Sequence, residues 1–148
     1  MHATCIALGH RGALLKGPAG AGKSDLALRF LSLSRECLGR PAALVADDQV
    51  ILRRQDERLT ASCPMPLTGK IEVRGLGIAN LPNVCLEADL KLVVSLDRQV
   101  HNPRFPEHED WETILGLPVP RITLDPFELS APMKLALAIG GFFPGRAD

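Results

Sequence analysis

The chain reads as an α/β protein with a mixed β-sheet, and three observations carry that expectation. The first is Gly17-Pro18-Ala19-Gly20-Ala21-Gly22-Lys23-Ser24, which fits the spacing Gly, four residues, Gly-Lys-Ser/Thr. An apolar run at residues 13–16 precedes it, and Leu26, Ala27, Phe30 and Leu31 follow at helical spacing. The second is a pair of further apolar runs of strand length, at residues 42–46 and 89–96. The third is that strand-like segments outnumber helical ones and several are joined by hairpin-like turns, so a purely parallel sheet is not expected. A phosphate-loop helix packed on the sheet and a helix near the C-terminus complete the expected architecture.

The spacing of the first motif has a physical reason. Gly17, Gly20 and Gly22 can take backbone angles closed to other residues, so successive N–H groups can turn inward around phosphate oxygens. Lys23 can then reach the β/γ-phosphates and the Ser24 hydroxyl can sit on Mg²⁺. A strand, a glycine loop and a helix N-terminus together favour an anion, because free N–H groups and the helix dipole act in the same direction. An ordinary glycine-rich turn before a helix is the plainer alternative, and the flanking strand and helix weigh against it.

Bulk properties exclude several classes. A chain of 148 residues, 46% hydrophobic and 23% charged, suits one soluble globular domain spanning residues 1–148. Lys+Arg and Asp+Glu both total 17, so charge advertises neither nucleic acid nor an anionic membrane. Cys5, Cys37, Cys63 and Cys85 lie far apart with no Cys-x-x-Cys pair, which suits free, mostly buried thiols in a reducing compartment. There is no secretory pattern at the N-terminus, and no apolar stretch approaches the ~20 residues needed to span a bilayer. The most apolar one, residues 133–143, is interrupted by Lys134 and Gly140-Gly141. A cytoplasmic protein is expected.

Taken in order, residues 4–8 form an apolar run ending in the turn signal Gly9-His10-Arg11-Gly12, so a hairpin leads into the phosphate loop. The helix after the loop is expected to run on to about Leu38, with Gly39 as its stop and Pro41 beyond. The run at 42–46 ends in Asp47-Asp48, which places carboxylates beside the phosphate loop, as Walker-type sites do to hold Mg²⁺ or position a base. Residues 50–52 and 59–61 flank a polar connection, and Pro64 and Pro66 mark a loop. A short strand is expected around Ile71, with Glu72 and Arg74 on one face, as a surface ion pair would also be. Residues 97–112 read as a solvated loop: His101, His108 and several acids lie there without metal-ligand spacing. Residues 111–115 suggest a helical turn, 122–124 a last short strand, and 131–139 a helix ending at Gly140-Gly141.

The combination is specific. Residues 17–24 followed by Asp25, then Leu44-Val45-Ala46-Asp47-Asp48, then Ile71-Glu72-Val73-Arg74-Gly75-Leu76-Gly77-Ile78, resemble the catalytic C-terminal domain of bacterial HPr kinase/phosphorylase over about residues 2–124. The resemblance implies a P-loop kinase domain of the PEP-carboxykinase-like kind, its mixed sheet flanked by helices, without the family's separate N-terminal domain. It implies an ATP- and Mg²⁺-dependent protein-serine kinase that phosphorylates the phosphocarrier HPr, or a paralogue, of the phosphotransferase system and so regulates carbon metabolism. It also implies a homo-oligomer, a hexamer in the family.

Residue by residue, the resemblance assigns Lys23 to the phosphates, Ser24 and Glu72 to Mg²⁺, and Asp48 to the catalytic acid/base role. Asp47 precedes Asp48 as in the family pair, His2 falls where a family histidine pairs with the aspartates, and Asp25 replaces a usual Glu. Arg104, followed by Ile114-Leu115-Gly116, aligns with a catalytic arginine. Residues 17–25, including Pro18, Ala19 and Ala21, form the nucleotide-binding set. One departure matters. The family's Pro-Val-Arg-Pro-Gly-Arg-Asn run, tied to dephosphorylation, is replaced by Leu124-Asp125-Pro126-Phe127-Glu128-Leu129-Ser130, so reverse activity is expected to be weak or lost.

Two other classes compete. A small-molecule P-loop kinase would need a lid with arginines, for which residues 97–112 are the only candidate. A non-catalytic ATP-binding sensor is opposed by the intact set Lys23, Ser24, Asp48 and Glu72. A switch GTPase is disfavoured, because no Asn-Lys-x-Asp motif is present.

Overall fold

The structure is a computed structural model and describes residues 1–141 apart from 34, 102 and 106–108, with the backbone alone for Cys37. His108, Phe143 and the Cys37 side chain, which figure in the sequence reading, lie outside the described residues. Three apolar strands lead. β1 (Thr4–Leu8), β2 (Arg11–Lys16) and β3 (Ala42–Ala46) are buried along most of their length rather than at alternate positions. That pattern belongs to strands covered on both sides. β1 pairs antiparallel with both β2 and β3, and the β1–β2 hairpin turns at Gly9-His10.

β4 (Ile51–Gln55) and β5 (Arg58–Ser62) form the expected hairpin, but the strands extend through the polar residues to a tight turn at Asp56-Glu57. β6 (Lys70–Val73) and β7 (Gly77–Asn80) form a separate two-stranded ribbon. Arg74 therefore falls in the turn between them and does not share a strand face with Glu72. β8 (Glu87–Leu96) runs parallel to β2 and then to β10 (Leu117–Leu124), and antiparallel to β5 at its start. β9 (Asp110–Ile114) closes the edge, giving the order β3-β1-β2-β8-β10-β9 in an eight-stranded mixed sheet.

β9 corrects the helical turn expected at residues 111–115. Leu115 and Gly116 both take positive φ, 48° and 84°, the geometry of a two-residue hairpin turn. Leucine is a poor signal for that position, so the hairpin was hidden. β10 is also longer than expected, because Pro118 and Pro120 disguise it. Both lie where β9 alone flanks the strand, so every second N–H has no partner to lose.

Among the described residues three α-helices accompany the sheet, besides a 3-10 turn at Met65–Leu67 in the Pro64–Pro66 stretch. α1 (Lys23–Leu31) ends earlier than its apolar spacing suggests, and a separate one-turn α2 (Arg35–Leu38) follows. Ser32 caps α1 while its hydroxyl donates to the Leu28 carbonyl at 2.9 Å, a local bond that competes with continuing the ladder. α3 (Ala131–Gly140) stops at Gly141 in the left-handed region, as expected. One face of the sheet packs Ile6, Leu15, Leu44 and Val94 against Leu26 and Phe30 of α1 and Leu135 and Ile139 of α3. The other face packs Leu14, Val45 and Val93 with Ala61, Ile114 and Val119. Fully burying a side chain such as Phe30 contributes about 2–3 kcal/mol, so α1 is anchored firmly behind the loop it follows. The thiols are less uniform than expected: Cys5 is buried, but Cys63 and Cys85 are only half-buried. Burial pushes all three thiols up, with Asp47 adding to the effect at Cys63.

Candidate functional site

The phosphate loop leaves the C-terminal end of β2 and enters α1. Its shape is set by close approach: a Cβ at Gly17 would lie 2.8 Å from that of Ala21, and the loop closes with Ala21 N–H donating to the Pro18 carbonyl at 3.0 Å. Gly22 is the N-cap of α1 at φ 96°, a conformation that side chains rarely adopt, and it offers no capping group. The first-turn N–H groups of α1 lack intrahelical acceptors, so they face the loop mouth as donors. Lys23 is buried, and its ammonium donates to the carbonyls of Gly17 at 2.7 Å and Pro18 at 3.0 Å, which holds the charge across the loop. The donor set fits a polyphosphate.

Asp47 organises the flank toward β3. It is only 8% exposed, and its Oδ1 accepts the Ser24 hydroxyl at 2.8 Å and the Thr4 hydroxyl at 2.9 Å. Its Oδ2 accepts the backbone N–H of Glu72 at 3.0 Å. One carboxylate thus joins β1, β3, α1 and β6. Because the Ser24 hydroxyl donates its hydrogen bond to Asp47, the lone pairs of its oxygen remain for a cation. Glu72, whose backbone is held here, is exposed, and Ile71 is buried beside it to fix the ribbon. Hard cations take oxygen ligands, and Ser24 with Glu72 fits such a need.

Asp48 behaves differently from its neighbour. It sits at φ 74°, unusual for a residue with a side chain, and this turns its carboxylate outward, 64% exposed. His2 Nδ1 lies 2.9 Å from its Oδ1, and His2 bridges to Gln49 through the backbone. The two adjacent acids therefore part, one into a buried network and one into solvent beside a histidine.

Most of the sequence-derived set meets here: residues 17–24, Asp47, Asp48, His2 and Glu72. Two members do not join the network. Asp25 faces outward on α1 and accepts from Arg29 at 3.0 Å. Arg104 is exposed, its guanidinium 5.7 Å from the Phe105 ring centroid, and it makes no described contact with the loop. Thr4 was missed by sequence reasoning. The available signal was a hydroxyl in an otherwise apolar buried run, since such a group needs a partner.

Comparison with known proteins identifies the family. A family model described as the HPr Serine kinase C-terminal domain matches residues 1–128, so the chain belongs to that family. HPr kinase/phosphorylase of Aromatoleum aromaticum is 40% identical over 124 residues, covering 76% of this chain and 37% of that protein. The protein of the same name from Burkholderia lata is 32% identical over 148 residues, covering 94% of this chain and 43% of its own length. The chain thus spans about two-fifths of the curated relatives it matches. In three dimensions the Hpr(Ser) kinase/phosphatase of Coxiella burnetii superposes with a TM-score of 0.77 at 27% identity, covering 96% of this chain and 94% of that one. The mixed-sheet α/β fold is that of an HPr kinase.

Proposed function

From membership of that family and the geometry around the loop, we propose that the chain is an ATP- and Mg²⁺-dependent protein-serine kinase domain acting on an HPr-type phosphocarrier. The observation that carries the reading is Asp47, which fixes the Ser24 hydroxyl and the Glu72 backbone at the mouth of a phosphate loop. Bound Mg²⁺ would offset the charge that develops on the phosphate oxygens. Ser24 and Glu72 would hold it, and Asp47 orients Ser24. Lys23 and the α1 N–H groups bind and align the β- and γ-phosphates.

Asp48 accepts the proton of the acceptor serine as that oxygen forms its bond to the γ-phosphorus. The bond from the γ-phosphorus to the bridging oxygen breaks, and ADP leaves. His2 holds the Asp48 carboxylate in position for this. Its exposure suits a base that must meet a serine on another protein rather than a small buried molecule. Arg104 is assigned to the developing phosphate charge on the resemblance alone. With Leu124–Ser130 in place of an arginine-bearing run, reversal by inorganic phosphate is slow or lost. A cytoplasmic location and a homo-oligomer, hexameric as in the family, belong to the same reading. Exposed Leu76 and Ile78 on the β6–β7 ribbon offer apolar surface for contact between subunits, and no described helix is long and apolar enough to cross a membrane.

Transfer of label from [γ-³²P]ATP with Mg²⁺ to purified HPr-type proteins tests the proposal. Acid-stable label on one serine, lost in Lys23→Ala and Asp48→Asn, is the expected result. ATP binding with no carrier protein labelled would turn the reading toward a small-molecule kinase or an ATP sensor.

A further inference from the structure

The phosphate loop has a second flank that the kinase reading leaves unused. Residues following β8 and β10 meet there, because both strands run parallel to β2 and end beside the loop. The two segments are tied together by Asp97 N–H donating to the Leu124 carbonyl at 3.0 Å. The second is pinned to α1 by Arg29, which donates to the Pro126 carbonyl. Asp125 Oδ1 accepts the Phe127 N–H at 2.9 Å and fixes the turn that presents the ring.

Phe127 is therefore held rigidly, yet it is 46% exposed. Its edge lies against the loop: a Cβ at Gly22 would be 3.0 Å from its Cζ. The guanidinium of Arg98 sits 4.4 Å from the ring centroid, stacked on it. A flat, half-exposed aromatic surface with a planar cation is thus placed beside the phosphate-binding turn.

Which end of a bound triphosphate would lie there follows from the other flank. On the kinase reading the γ-phosphate reacts on the β3 side, where Asp48 lies and where Asp47 holds Ser24 and the Glu72 backbone. The opposite end of the molecule, with its α-phosphate and nucleoside, must then leave the loop on the β8–β10 side. Resting on the phosphate-binding reading above, we propose that Phe127 and Arg98 form the platform on which the nucleotide base stacks. The ring supplies a π-face for the base, and Arg98 extends the stack and adds positive charge near the α-phosphate.

The plainer alternative is that Phe127 merely packs Gly22, and a leucine in its place separates the two. Leucine keeps apolar bulk against the loop but has no flat face; tyrosine keeps both. Calorimetry with the 148-residue chain would compare Mg·ATP with Mg·tripolyphosphate, which has the phosphates without the base. Phe127→Leu is expected to weaken ATP about ten-fold while leaving tripolyphosphate unchanged, and Phe127→Tyr is expected to match wild type. Equal loss for both ligands, or loss for neither, overturns the platform and leaves the phosphate loop intact. If wild-type protein binds neither ligand, the phosphate-binding reading itself falls and takes the platform with it.

Discussion

The two flanks of the phosphate loop are built by opposite means. Toward β3 the centre is one buried carboxylate, Asp47, which serves Thr4, Ser24 and the Glu72 backbone at once. Toward β8 and β10 the parts are aromatic and half-exposed, and they are fixed by backbone ties rather than by burial. A group that must hold one oxygen in one place benefits from a low-dielectric network with every donor satisfied. A surface that must accept a large planar group needs rigidity and open area instead. The difference is that Asp47 is fixed by burial and by its three bonds, whereas Phe127 is fixed with its ring left half open.

The largest effect is expected where burial is deepest. Asp47→Ala leaves the Thr4 hydroxyl, 1% exposed, and the Glu72 N–H without their acceptor. Leaving buried donors unsatisfied costs about 1–3 kcal/mol each, so denaturant unfolding should show a loss of about 3 kcal/mol. Phosphoryl transfer should disappear with it. An unchanged midpoint would mean that the network is ornamental.

A smaller effect is expected at Thr4→Val, which keeps the shape and removes one bond. The loss is about 1 kcal/mol, read as a fall in Tm of about 2–4 °C. Ser24 remains bonded to Asp47 in that variant, so Mg·ATP affinity should stay near wild type. The smallest stability effect is expected across the loop, where Phe127→Leu should change unfolding free energy by less than about 1 kcal/mol. A larger change there would make Phe127 a packing residue and erase the contrast between the flanks.

Sequence spacing made the loop and the acidic pair legible, and the family resemblance added Glu72 and His2. The loop, the acidic pair and Glu72 are coded by short contiguous runs, and each run brings its own strand or helix. The same spacing could not show that Asp47 turns inward and Asp48 outward, because that depends on a single positive φ at Asp48. The second flank was invisible for a different reason. Arg98 and Phe127 are distant in the chain and meet only because β8 and β10 lie side by side in parallel. The β9–β10 hairpin was missed through turn chemistry, since Leu115 occupies a position where glycine or asparagine is the usual signal. The early end of α1 was missed because Ser32 breaks a pattern whose apolar spacing continues to Leu33.

In the proposed function the two adjacent acids divide the work, Asp47 orienting the cation ligand and Asp48 taking the serine proton. Asp47→Asn and Asp48→Asn, each assayed for Mg-dependent ATP binding and for transfer to the carrier protein, test it most directly. The division predicts that Asp48→Asn binds Mg·ATP like wild type while transfer falls about 10²–10⁴-fold, the range of a general base. It predicts that Asp47→Asn loses the Mg²⁺-dependent part of ATP binding. If Asp48→Asn were the variant that lost Mg²⁺ dependence and Asp47→Asn bound normally without transfer, the roles would be reversed and the account contradicted.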